Sequence, residues 1–108
     1  MNISRVTAIV PVGTLDQLER DLRECGVPGV TVERVRGYGR YRNYFRRDQL
    51  TDDARVVLFV ERERIDSILE TVSSCMQKCG ANSGIAVVES IDRFVQLTCD
   101  SSRDGPAR

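Results

Sequence analysis

The sequence has no histidine, and its four cysteines (Cys25, Cys75, Cys79 and Cys99) do not follow the spacing of a zinc site. We therefore expect no bound metal. Without histidine, no serine or cysteine is paired with an evident base, and no two carboxylates show the spacing of a catalytic dyad. The protein is predicted not to be an enzyme, and its cysteines are predicted to be core thiols in a reducing compartment.

Long apolar segments and an export signal are also missing. No run approaches the ~18 apolar residues that span a bilayer, and residues 1–6 lack the basic and apolar regions of a signal peptide. We expect a cytoplasmic protein with no direct membrane insertion. The length of 108 residues suits one domain. We place that domain at residues 1–98 and a polar, flexible tail at residues 99–108.

Lysine is nearly absent, because the sixteen basic residues are fifteen arginines and Lys78, against sixteen acidic residues. A net charge of zero argues against a general polyanion binder, and no DNA partner is expected. The arginines are unevenly placed, since six lie between residues 34 and 47 with no acidic residue among them. Four of the six aromatic residues fall between Tyr38 and Phe45. This loop of guanidinium groups and aromatic rings is predicted to bind a ligand or partner.

Apolar periodicity predicts the element order βαββαβ, with further strand material at the end. This order predicts an α+β, ferredoxin-like fold: an antiparallel sheet with two helices on one face. The other face would need a partner, and Thr7, Ile9 and the apolar run at residues 56–60 indicate oligomerisation. The expected strands are at residues 3–10, 30–36, 56–60, 85–88 and 91–97, and the expected helices are at residues 15–25 and 65–79.

The helix boundaries also carry sequence signals. Thr14 and Gln17 form a capping-box pattern before the first helix. Gly26 and Gly80 are placed to end the two helices in the left-handed conformation. Residues 38–53 show no apolar period, and their length predicts a protruding functional loop at about residues 40–54.

The segment from residue 26 to residue 40 carries a specific motif of glycines, a threonine and a terminal Gly-Tyr-Gly-Arg. This motif resembles that of the PII signal-transduction family. The order of elements agrees with that family, as does a second glycine-containing turn at residues 80–84. The resemblance extends over residues 3–97. The motif residues are Gly26, Gly29, Thr31, Val35, Gly37, Tyr38, Gly39 and Arg40.

The resemblance implies a homotrimer that binds adenine nucleotides in the clefts between its subunits. Thr31 would contact the base, and Gly37, Gly39 and Arg40 would lie along the phosphates. The full set of nucleotide-binding residues that it implies is Thr31, Gly37, Tyr38, Gly39, Arg40, Gly84 and Arg93. The loop beyond this motif would bind an anion or dock on a target protein or transporter. Its expected contact residues are Arg42, Tyr44, Arg46 and Arg47.

Departures from the family pattern refine these expectations. The protruding loop is shorter than usual and lacks the tyrosine-centred segment that is covalently modified in some members. Asn82, Ser83 and Gly84 stand in a turn that usually supplies a phosphate-binding lysine, and Gln96 and Thr98 occupy usually basic positions. Fewer cations favour ADP or AMP over ATP. Short-loop members include those associated with bicarbonate transport and carboxysomes, so bicarbonate is a candidate second ligand.

An RNA-binding module of RRM-like topology is the alternative. Residues 36–39 satisfy the first half of the RNP1 pattern, and basic and aromatic residues alternate as base stacking requires. Arg40, however, takes the place of the next RNP1 aromatic. The motif also ends the strand after the first helix, whereas RNP1 lies on the following strand. That strand, at residues 55–60, lacks the aromatic pair.

Overall fold

The structure is a computed structural model that describes residues 2–37, 51–81 and 84–98. Two α-helices lie within these ranges, and a short 3-10 turn precedes each of them. The helices are α1 (Leu15–Glu24) and α2 (Ile65–Lys78), after 3-10 turns at Val12–Thr14 and Arg62–Arg64. The strands are β1 (Ile3–Pro11), β2 (Thr31–Gly37), β3 (Thr51–Glu61) and β4 (Ile85–Ser90).

In the described part of the chain, the four strands form one antiparallel sheet in the order β2-β3-β1-β4. The long strands β1 and β3 are therefore central, and the shorter β2 and β4 form the edges. Thr7 of β1 pairs with Val57 on one side and with Val87 on the other. The prediction of an α+β, ferredoxin-like fold is confirmed.

The core lies between the helices and one face of the sheet. Side chains alternate along a strand, and the residues of β1 and β3 that face the helices are almost all apolar and buried. Full burial of each large apolar side chain contributes about 1.5–3 kcal/mol. The buried apolar residues are Val6, Ala8, Val10, Leu18, Leu22, Val27, Ala54, Val56, Leu58, Val60, Ile68, Val72 and Cys75.

Both helices end at the glycines that the sequence indicated. Gly26 has a φ of 93° and Gly80 a φ of 68°, a region in which only glycine is unstrained. After α1, the Val27 amide donates to the carbonyl oxygen of Leu22 at 3.0 Å. After α2, the Ala81 amide donates to that of Met76 at 2.9 Å. Both are Schellman endings, so the predicted helix stops are confirmed.

The predicted capping box is wrong. The Thr14 hydroxyl does not cap α1 and instead donates to the Pro11 carbonyl oxygen at 2.8 Å. Gln17 donates to the Asp21 carboxylate at 2.8 Å. The 3-10 turn at Val12–Thr14 already places Thr14 in a helical conformation, whereas a capping residue needs an extended one.

Two predicted boundaries also fail. Residues 91–97 form no strand, although they lie in a described range. The Ile91 amide donates to the Ile3 carbonyl oxygen at 3.3 Å. Because β1 begins at Ile3, the residues after Ile91 have no part of β1 left to pair with. The predicted loop at 40–54 is also too long at its end, since β3 starts at Thr51. Residues 38–50 and 99–108 lie outside the described ranges.

The sequence predicted that the cysteines are all core thiols, but Cys25, Cys75 and Cys79 differ in exposure. Cys75 is buried at 1% exposure, which confirms the prediction of a core thiol for that residue. Cys25 is half-buried, and Cys79 is exposed. Cys79 is the C-cap residue of α2, and at this end of the helix its side chain no longer packs against the core. The prediction of a core thiol is therefore wrong for Cys79.

Candidate functional site

The structure describes four of the residues predicted to bind nucleotide: Thr31, Gly37, Gly84 and Arg93. The rest of that set, Tyr38, Gly39 and Arg40, lies outside the described residues. The same is true of the loop residues Arg42, Tyr44, Arg46 and Arg47.

Thr31 and Gly37 are the first and last residues of the edge strand β2. Thr31 pairs with Val57, and Gly37 pairs with Thr51. Six strand steps of about 3.3 Å separate them by about 20 Å. Near Gly37, Arg36 Nε lies 3.2 Å from the Asp52 carboxylate. The β2 edge thus presents an extended line and not a compact pocket.

Gly84 lies at the opposite edge, directly before β4. A Cβ at this position would stand 2.9 Å from Met76 Cε and 3.0 Å from the Ile9 carbonyl oxygen. No real side chain fits there without displacing its neighbours. Close packing inside the chain therefore accounts for glycine at residue 84, a reason that the sequence did not reveal.

One chain does not bring the two glycines together. The β2 and β4 edges are three inter-strand steps apart, or about 14 Å at about 4.8 Å per step. By the register of β1 and β4, Gly84 lies opposite Val10, near the end of β1. Gly37 pairs with Thr51, two residues beyond the point at which β3 pairs with the last residue of β1. Both glycines therefore lie at the end of the sheet where β1 ends.

Arg93 follows β4 and is exposed. It comes two residues after Ile91, whose amide bonds to the start of β1. Within residues 2–37, 51–81 and 84–98, it forms no ion pair. Arg93 therefore lies toward the end of the sheet away from Gly84, and one chain does not unite these two predicted ligands either.

The sheet face away from the helices, which we call the open face, contains a groove of about 560 Å³. Thr31 is the one predicted nucleotide residue among those that line it. The sequence also indicated the open-face position of Thr7 but missed the charged residues beside it. The groove residues are Arg5, Thr7, Thr31, Glu33, Arg55, Val57, Val87 and Glu89.

Two ion pairs lie in this groove. Arg5 contacts the Glu89 carboxylate through Nη2 at 2.6 Å and through Nε at 2.8 Å. Arg55 contacts the Glu33 carboxylate through Nε at 2.7 Å and also through Nη2. Beside the groove, the rings of Phe59 and Phe94 have centroids 5.6 Å apart. The open face is therefore a mixture of apolar groups and balanced charge.

A polar contact joins the helices on the other side of the molecule. Lys78 Nζ lies 3.0 Å from the Asp21 carboxylate, and hydrogen bonds from Lys78 and Gln17 lower the pKa of Asp21. Beside them, burial raises the pKa of the Cys75 thiol to about 11, with a further rise from neighbouring Cys79. This thiol is therefore protonated and unreactive at neutral pH.

The described ranges contain neither a metal-binding cluster nor a membrane-spanning helix. No three histidine, cysteine, aspartate or glutamate side chains there come close enough to hold a metal ion. No helix among the described residues is both long and apolar enough to span a bilayer.

Comparisons with known proteins agree on one family. The family described as "Nitrogen regulatory protein P-II" matches residues 3–98. The chain is 25% identical to nitrogen regulatory protein P-II 2 of Methanothermobacter thermautotrophicus, with 93% of each chain covered. It is 27% identical to nitrogen regulatory protein P-II of Rhizobium etli, with 85% of this chain and 88% of that protein covered. The names describe regulatory proteins, so the prediction of a regulator and not an enzyme is confirmed.

A solved structure shows the same fold. The chain is similar to Arabidopsis thaliana PII bound to citrate, with a TM-score of 0.69 and 23% identity. The match covers 83% of this chain and 78% of the plant protein. The likeness confirms the arrangement of the sheet and the two helices.

Proposed function

This chain belongs to the nitrogen regulatory protein P-II family, and we propose that it binds adenine nucleotides in clefts between the subunits of a homotrimer. ADP or AMP is favoured over ATP, because Ile85, Gln96 and Thr98 stand where further cations would hold a third phosphate. The bound nucleotide would control how the loop after Arg40 docks on a target protein in the cytoplasm.

The observation that carries this proposal is the position of the two glycines. Gly37 ends the β2 edge, Gly84 precedes β4 at the other edge, and both approach the same end of the sheet. A cyclic assembly sets one edge of a subunit beside the other edge of its neighbour. Such a contact unites the two halves that a single chain keeps apart.

The chemistry of the motif suits a phosphate group. Glycines at residues 37 and 39 have no side chain to block the approach of a phosphate, and the guanidinium of Arg40 would donate a fork of hydrogen bonds to it. The arginines of the following loop supply donors for a second, carboxylate-like anion. Bicarbonate is the candidate for that position, and it would strengthen nucleotide binding.

Calorimetry with ADP, AMP and ATP tests the nucleotide preference. We expect Arg40→Ala to weaken ADP binding by about 10- to 100-fold, since a hydrogen bond to a charged group contributes about 1.5–3 kcal/mol. Arg20→Ala is the control, because Arg20 is an exposed residue of α1 that bonds only to Gln17 within the described residues. Each titration is repeated with bicarbonate, and zero coupling would remove that ligand.

Subunit mixing tests whether the cleft is shared. Arg40→Ala damages the β2 side of the cleft and Gly84→Ala the β4 side, so neither variant alone has an intact site. Co-refolded at equal amounts, the two variants should regain about a quarter of the clefts, because every cleft takes one edge from each of two neighbours. A site within one subunit would regain none.

Two results would overturn the proposal. Tight, salt-dependent binding of single-stranded RNA without nucleotide binding would favour the RRM-like alternative. A light-scattering mass of one chain at micromolar concentration would exclude a cleft between subunits.

A further inference from the structure

Two of the four cysteines lie one turn apart at the end of α2. The Cys79 amide donates to the Cys75 carbonyl oxygen at 3.0 Å, so the helical turn between them is intact. Side chains four residues apart lie on the same face of a helix, with Cβ atoms about 5–6 Å apart. Burial is the main cause of the raised pKa of Cys75, and the charge of Cys79 and a hydrogen bond with it add to the rise. The two thiols therefore interact directly.

The pair is open to solvent on one side. Cys75 is 1% exposed and belongs to the core, whereas Cys79 is exposed. A small ligand can therefore reach Cys79 from solvent and meet Cys75 directly behind it. Lys78 lies in the same turn, and its ammonium group is 3.0 Å from the Asp21 carboxylate. This ion pair adds no net charge beside the thiols.

The spacing decides between the two reactions that are open to a pair of thiols. A disulfide requires Cβ atoms about 3.5–4.5 Å apart, which is closer than one helical turn of about 5–6 Å allows. The last turn of α2 would have to unwind. A metal ion between two thiolates adds two bonds of about 2.3 Å each, so the sulfur atoms lie up to about 4.6 Å apart. The intact turn therefore suits a bridging ion better than a disulfide.

We propose that Cys75 and Cys79 bind one soft monovalent metal ion, Cu(I), between their sulfur atoms. Soft thiolate ligands select Cu(I). A cluster of three ligands, as zinc requires, is absent from the described ranges, but Cu(I) needs only two thiolates. Each thiol gives up its proton to solvent on binding, because a coordinating thiol is deprotonated by the ion. The two thiolates and the ion together carry a single negative charge.

Both ligands come from one helix of one chain. The site therefore depends neither on the homotrimer nor on the nucleotide binding proposed above. It also holds the last turn of α2 in its present form, because the ion joins the two ends of that turn.

Competition with bicinchoninate, a chelator that forms a coloured Cu(I) complex, tests the site without oxygen and with ascorbate as the reductant. The protein carries Cys25→Ser/Cys99→Ser, which leaves only the two thiols of α2. It should take up one Cu(I) per chain. Adding Cys79→Ser should weaken binding by more than the about 10- to 100-fold that loss of an outer-shell partner costs, because one of the two ligands is gone.

The matched control moves the outer thiol and keeps the number of thiols. Gln77→Cys/Cys79→Ser in the same background places the second thiol two residues from Cys75, where side chains do not face each other. Gln77 is exposed, so this variant should fold, and it should bind Cu(I) as weakly as Cys79→Ser. Tight binding by this variant would show that the position of the thiol does not matter, and would overturn the inference.

Thiol labelling gives a second readout in the wild-type protein. One equivalent of Cu(I) should protect Cys79 from iodoacetamide, whereas the labelling rate of Cys25 should stay unchanged, because its thiol interacts with the Thr71 hydroxyl on another part of α2. A folded protein that takes up no Cu(I), or whose Cys79 is labelled equally fast with and without the ion, would contradict the proposed site.

Discussion

The two faces of the sheet differ in what completes them. On the helix-covered face, Val6, Ala8 and Val56 are at most 1% exposed, because α1 and α2 pack over them. On the open face, one residue further along the same strands, Thr7 and Val57 are half-buried and Arg5 is ion-paired. Because successive side chains of a strand point to opposite faces, each strand contributes residues to both faces of the sheet. One face stabilises the chain, and the other is left for a partner.

The largest expected effect comes from deleting matched side chains on the two faces. Ile68→Ala removes a fully buried side chain of α2 and should cost about 2–5 kcal/mol. Ile9→Ala removes the same atoms from the half-buried open face and should cost about 1 kcal/mol or less in the isolated chain.

Urea unfolding followed by circular dichroism measures both variants. The Ile9→Ala variant should also lose stability on dilution more steeply than wild type, because assembly adds a concentration-dependent term. Equal losses for the two variants at every concentration would remove the distinction between the faces.

Substitution of Gly84 tests how tightly the chain packs where the helix-covered face meets the edge strand β4. Gly84→Ala should cost about 1–3 kcal/mol, because overpacking displaces neighbouring atoms. Those atoms are Met76 Cε and the Ile9 carbonyl oxygen. Gly29→Ala is the control, since a Cβ there meets nothing within 4 Å, and it should stay within about 0.5 kcal/mol.

A double-mutant cycle with Met76→Ala sharpens this test. Removing the methionine side chain relieves one of the two contacts, so the combined loss should be smaller than the sum of the single losses. Strict additivity would show that Met76 does not press on residue 84.

Much of the fold could be predicted because periodicity reports directly on burial. Apolar periodicity predicted the strand at residues 3–10, and Gly26 and Gly80 predicted the helix ends. The first cap was missed because the 3-10 turn at Val12–Thr14 depends on how β1 ends. The strand predicted at 91–97 was wrong because β-propensity does not tell whether a partner strand extends that far.

The site was predictable only where a local motif exists. Thr31, Gly37 and Gly84 follow from the motif and the second turn, but their separation at opposite edges required the strand order. The ion pairs join Arg5 to Glu89 and Arg55 to Glu33, which are 84 and 22 residues apart. Such pairs depend on the register of the sheet, and no local pattern announces them.

The polar contact between the helices makes the stability of the protein depend on pH. Because Lys78 and Gln17 lower the pKa of Asp21 below 3.8, the folded state holds the carboxylate more favourably than the unfolded chain does. This contribution is complete above pH 3.8 and is lost as the pH falls toward the lower pKa of the folded state. The raised pKa of Lys78 places the corresponding loss above pH 10.5.

Asp21→Asn should therefore lower the neutral-pH stability and flatten its decline in acid. Urea midpoints measured across the pH range check this expectation. Lys78→Met should reproduce the neutral-pH loss, whereas Lys78→Arg should preserve most of the stability. An Asp21→Asn variant with an unchanged acid decline would show that this contact does not set the pH dependence.

The prediction with the smallest expected effect on stability is thiol labelling, which compares two cysteines one turn apart at the end of α2. Burial raises the pKa of Cys75 from 9.0 to about 11, so its reactive thiolate is about 100-fold scarcer than that of an ordinary cysteine. Cys79 lies one turn later and is exposed. Iodoacetamide at pH 8, followed by peptide mass analysis, should label Cys79 readily and leave Cys75 protected. In strong urea, both should react at similar rates. Similar rates in the native protein would mean that the last turn of α2 opens freely, so that this part of the helix-covered face is no better closed than the open face.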